Sequence, residues 1–174
     1  MHPIPPDGLS SETHGTIGRF SHHANWLSLL LLGALIGIAL SGWLGGGSDE
    51  IYSANTRIAH LRISAPAIIR NGEFLETTVS IHARERIAEP AIRLDPSLWR
   101  DITINTVFPE PAEQEYASDQ VVFSYGSLEP GDELSIKLDG QINPSLFAGT
   151  NGAIALYDGE REIATIPLSI RVLP

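Results

Sequence analysis

The sequence predicts an all-β antiparallel sandwich of about eight strands, preceded by one transmembrane α-helix. Three observations carry this. From residue 20 to residue 48 there is no Asp, Glu, Lys or Arg. From Arg57 onwards apolar residues alternate with polar ones, the period of a half-buried strand rather than of a helix. Turn chemistry interrupts that alternation at Asn71-Gly72, at Glu129-Pro130-Gly131-Asp132 and at Tyr157-Asp158-Gly159.

Residues 1–25 come first. They are rich in Pro, Gly, Ser and His and poor in large apolar side chains, so they cannot bury enough surface to fold alone and are expected to form a polar tail. Residues 26–44, WLSLLLLGALIGIALSGWL, are apolar on every side and suit a membrane span. Trp26 and Trp43 would lie about 25 Å apart on a helix, close to the thickness of a hydrocarbon core, so both can sit at headgroup depth. Gly33, Gly37 and Ser41 recur every fourth residue, with Gly45 continuing the spacing, and such a stripe lets another helix approach closely in lipid. A cleaved signal peptide is the competing reading, with Ala39 and Ser41 at peptidase spacing before Gly42. The long leader with Arg19 as its single basic residue, the length of the apolar run and the second tryptophan favour a retained anchor.

Orientation rests on flanking charge. Arg19 and the histidines His2, His14, His22 and His23 precede the span; Asp49 and Glu50 follow it, then Arg57 and Arg62. The basic counts nearly tie. A long C-terminal domain translocates largely regardless of charge, and the acidic pair is the nearest outer flank, so the tail is expected in the cytoplasm. Residues 45–50, opening with three glycines and Ser48, form a tether to a domain over 51–174.

Within that domain Ala59, Leu61 and Ile63 alternate with His60 and Arg62. Thr77, Val79, Ile81 and Ala83 share one face of the next strand, with Thr78, Ser80, His82 and Arg84 on the other. Further strands are expected over 90–95 (Ile92 and Leu94 inward), 101–108 (Ile102, Ile104 and Phe108), 120–126 (Val121, Phe123 and Tyr125) and 133–141 (Leu134, Ile136 and Leu138). The last two fall over 153–158 (Ile154 and Leu156) and 162–173 (Ile166, Leu168, Ile170 and Val172). The stretch YGSLEPGDELSIKLDGQI, Tyr125 to Ile142, resembles the strand, Pro-Gly turn and strand of bacterial immunoglobulin-like and fibronectin-type-III-like modules. The resemblance implies an immunoglobulin-like sandwich, here without a cysteine pair and with Trp99 in a Pro-Ser-Leu-Trp connection instead of on a core strand.

Composition narrows the chemistry. There are 11 basic and 21 acidic residues, a formal net charge of −10, which repels phosphate backbones and argues against a nucleic-acid partner. With no cysteine and Met1 the single methionine, disulfides, thiolate catalysis and zinc-thiolate sites are excluded. No GxSxG elbow is present, and no catalytic residues or cofactor are expected. His60 and His82 fall on the outward phase of their strands and are read as solvent-facing imidazoles. If those strands pair, the rings could face each other and bind a divalent metal weakly, but a site needs three or four ligands, so no metal site is expected and the two remain weak candidates. The connection Pro109 to Asp119 is expected as a long acidic loop carrying Glu110, Glu113 and Glu115, suited to a basic partner surface. Trp99, with Leu98 beside it, is a second candidate contact, with packing into the core the equal alternative.

These features predict a non-catalytic single-pass membrane protein. Its expected role is that of an accessory or structural subunit, in contact with the lipid bilayer and with other integral membrane subunits. Ten arginines against one lysine suggest a GC-rich bacterial genome, hence a bacterial inner membrane with the C-terminal domain in the periplasm. The alternative is a membrane-tethered periplasmic ligand- or metal-binding domain acting as a chaperone. A hydrolase built on paired carboxylates finds no supporting spacing.

Overall fold

A computed structural model describes residues 26–44, 47–117, 119–143 and 149–174. The chain divides into two units, one containing the helix and ending at Ser41, the other running from Gly42 to Pro174. The expected tail and the tether glycines Gly45 and Gly46 lie outside the described residues.

In the first unit, α1 (Trp26–Leu40) has no buried residue. It ends earlier than the expected 26–44 span. Gly42 takes φ +72°, the left-handed conformation that terminates helices, and the Ser41 amide donates to the Gly37 carbonyl at 3.0 Å. Residues 41–44 form turns, so Trp43 is not on the helix and its helical spacing from Trp26 does not hold. Fifteen residues rise about 22 Å, and among the described residues no helix is long and apolar enough to cross a membrane.

The second unit is all-β apart from one short helix. Its strands are β1 (Glu50–Asn55), β2 (Ala59–Ala65), β3 (Ile68–Arg70), β4 (Phe74–Ala83), β5 (Pro90–Leu94), β6 (Ile102–Phe108), β7 (Glu113–Ala117), β8 (Gln120–Ser124), β9 (Glu133–Ile142), β10 (Thr150–Asp158) and β11 (Arg161–Leu173). A five-stranded sheet runs β1-β2-β4-β9-β6 and a six-stranded sheet β3-β11-β10-β5-β8-β7. The expectation of about eight strands, all antiparallel, is corrected in two ways. β1, β3 and β7 are additional, and β3 joins β11 in parallel, so the six-stranded sheet is mixed.

The two sheets share one core. Leu61 and Ile63 of β2, Val79 and Ile81 of β4, and Ile136, Leu138 and Ile142 of β9 bury the inner phase of the first sheet. Ile92, Phe123, Ile154, Leu156, Ile166 and Leu168 do the same from the second. Each such side chain contributes about 1.5–3 kcal/mol by leaving water, and the alternation along each strand is what turns them inward together.

One inward expectation fails. Phe108 is 68% exposed. The pairing of β6 with β9 shifts register between Ile104 and Thr106, leaving Asn105 as an extra residue. A one-residue slip inverts the faces, so Val107 packs towards the core and Phe108 points out.

Candidate functional site

The outward face of the five-stranded sheet carries the two domain histidines. Leu61 and Ile81 are buried, which turns the neighbouring His60 and His82 away from the core. The antiparallel register pairs His60 directly with His82, and His82 directly with Glu133 on β9. His82 Nδ1 lies 3.4 Å from Glu133 Oε1, with both side chains well exposed. The row lines a shallow cleft of about 310 Å³ together with Arg62, Ser80 and Ser135. The strand pairing on which the expectation depended is therefore present, with the two histidines at opposed positions. Among the described residues no group of three or more His, Asp or Glu is arranged to hold a metal ion.

The six-stranded sheet presents a different surface, a trough of about 770 Å³. Small residues such as Ala91 and Ser124 floor it, and Arg93, Glu113, Glu115 and Glu160 stand around it. Arg93 is held from two sides: its guanidinium lies 3.9 Å above the Tyr157 ring, and Nη2 donates to the Gly159 carbonyl at 3.1 Å and to Glu160 Oε2 at 3.2 Å. Its Nε is buried without a hydrogen-bond partner. Tyr157 in turn donates to Glu162 Oε2 at 3.1 Å; burial, then this carboxylate, pushes its hydroxyl pKa up.

The expected acidic loop is corrected here. Residues 113–117 are not loop but edge strand β7, paired antiparallel with β8 so that Glu113 lies opposite Ser124 and Glu115 opposite Val122. Glu113 and Glu115 thus face the trough from a rigid edge, whereas Glu110 remains in the preceding connection, exposed. Of the two readings of Trp99, the structure places it in the core: it is 5% exposed. It closes α2 (Pro96–Trp99), which Asp95 caps by accepting the Ser97 amide at 2.9 Å, with Pro96 at the first turn. Buried Thr150 donates to the carbonyls of Ser97 and Leu98 at 2.7 and 3.0 Å. Gly152 lets α2 lie directly on β10, since a Cβ there would come within 2.7 Å of Leu98 Cβ.

In α1, Gly33 and Gly37 open onto free space, with nothing within 4 Å of where a Cβ would sit. Ser41 lies past the helix end, its hydroxyl donating to the Ile38 carbonyl at 2.6 Å, so the small-residue stripe is shorter than expected. Trp26 and Trp43 are both exposed. Sequence reading missed Glu133, Arg93 and Tyr157 as site residues. The alternation signalled which face Glu133 occupies; its place beside His82 depends on register, which no local pattern encodes.

No family model and no curated protein matches the chain. Among solved structures, a similar one is the Pseudomonas fluorescens alkylpurine DNA glycosylase AlkC bound to DNA containing an abasic site analog, at 13% identity and a TM-score of 0.34. The match covers 92% of this chain and 44% of that chain, and a likeness this low carries no argument about fold or activity.

Proposed function

We propose that the chain is a non-catalytic, membrane-anchored binding protein of the bacterial inner membrane. In this reading a cytoplasmic tail and one apolar helix hold an immunoglobulin-like sandwich in the periplasm, and the domain serves as an accessory or structural subunit of a larger membrane complex. The observation that carries the reading is α1: fifteen consecutive residues without a charge, none of them buried. Leaving such a surface in water is costly at about 25 cal/mol per Å², and lipid or an apolar partner helix removes that cost.

The length shortfall of α1 is compatible with this role. The uncharged run continues from residue 20 to residue 48, beyond the helix on both sides, and a bilayer thins locally around a short apolar segment at modest cost. Gly33 and Gly37 supply the close-packing stripe for a neighbouring helix, and the Glu113 and Glu115 edge supplies an acidic surface for a basic one.

The test is chemical crosslinking in native membranes, followed by purification in mild detergent. The reading expects a discrete crosslinked complex with another integral membrane protein, weakened at least several-fold by Gly33→Leu together with Gly37→Leu. A chain that stays an isolated monomer throughout contradicts it.

A further inference from the structure

We propose that His60 and His82 form a chelating site for a divalent transition metal, with Cu(II) the preferred ion, on the outward face of the five-stranded sheet. The inference does not depend on the membrane reading; it follows from register and chemistry within the β unit alone.

Directly opposed residues on antiparallel strands hold their Cβ atoms about 4.5–5.5 Å apart, a span across which two imidazoles can turn one nitrogen each onto a single ion. His60 and His82 occupy such opposed positions. The strands beneath them are fixed: Leu61 on β2 and Ile81 on β4 are both fully buried neighbours, so the two backbones cannot slide without exposing core. The backbone positions of the two ligands are therefore fixed before the metal arrives, which removes part of the ordering cost of binding.

Glu133 completes the arrangement without being a ligand. Its carboxylate lies 3.4 Å from His82 Nδ1, held opposite that histidine by the pairing of β4 with β9. Ligating histidines commonly have such a carboxylate behind them. Arg62 also lines the cleft and opposes a metal ion by charge, while the serines Ser80 and Ser135 leave room for metal-bound water.

The donor set selects the metal. Two nitrogens, with no third ligand grouped with them among the described residues, do not make the closed tetrahedral site of structural zinc. Two cis nitrogens with water in the remaining positions suit the tetragonal preference of Cu(II), which also stands highest in the divalent affinity series. Such a site exchanges its ion readily, as a carrier or sensor does.

The experiment uses the full-length chain in detergent with His2, His14, His22 and His23 replaced by Asn, so that His60 and His82 are the remaining imidazoles. Thermal unfolding is followed with and without saturating copper(II) chloride. A ligand that bridges two strands of the folded state raises the unfolding temperature, here by about 5 °C. The further change His60→Asn with His82→Asn should abolish the rise while leaving the metal-free unfolding temperature unchanged, because both side chains face outward. Glu133→Gln should weaken copper affinity by about 10-fold or more. No rise in the protein with both histidines, or an equal rise in the protein without them, overturns the proposal.

Discussion

Thr150 shows how a single hydroxyl holds a tertiary contact. It is buried, and its Oγ1 serves two carbonyls of α2 that have no other helical turn above them. Thr150→Val keeps the shape but strands those carbonyls, so it should lower stability by about 1–2 kcal/mol in urea unfolding. Trp99→Ala should cost more, about 3–5 kcal/mol, because it removes a large buried side chain from the core. Both numbers separate a packing role from a surface role; a Trp99→Ala chain of unchanged stability would restore tryptophan as a contact residue. Two tyrosines set an alkaline limit. Burial pushes Tyr125 up to about 12, and burial followed by the Glu50 carboxylate, which accepts the Tyr52 hydroxyl at 2.7 Å, pushes Tyr52 to about 12. Both stay neutral in the folded chain over a range where the unfolded chain has already ionised. Their contribution is therefore complete below pH 10 and is lost as pH rises from about 10 towards 12. Denaturation midpoints measured across that range should fall, and Tyr52→Phe with Tyr125→Phe should flatten the fall.

At the scale of the element, the edges differ in kind from the interior. β2, β4, β9 and β11 were legible in sequence because each buries one face fully while polar residues hold the other, giving clean alternation. β1, β3 and β7 were not. β1 is exposed or half-exposed at every position, β3 has three residues, and β7 offers the largely polar run EQEYA, so their strand character comes from neighbours' hydrogen bonds rather than from their own side chains. The phase of β6 was legible up to Ile104 and lost at the bulge, since an extra residue leaves no compositional trace. The same limits apply to the candidate sites. Outward phases of His60 and His82 were readable; the place of Glu133 beside them was not. The stripe at Gly33 and Gly37 was readable, but Ser41 left it because the helix stops at the glycine that follows. Charge on an edge strand discourages pairing with another chain. Replacing Glu113 and Glu115 by Val should therefore promote self-association through β7, visible as a concentration-dependent rise in sedimentation coefficient, and a strictly monomeric double variant would show that the edge is guarded by something other than charge.

At the scale of the whole molecule, two surfaces of opposite character belong to one chain: an uncharged helix with every residue exposed, and an acidic β domain that encloses most of its apolar side chains in one core. The formal charge of −10 lies wholly outside the run from residue 20 to residue 48, so the two parts call for different solvents. That contrast is the physical basis for reading the helix as an anchor and the domain as what it presents. Alkaline carbonate extraction of membranes from cells producing the chain, with the mass of the retained protein then measured, tests this most directly. Retention in the membrane pellet at the full 18.8 kDa is the expected result. Release into the supernatant of a shorter chain beginning at Gly42 would contradict it.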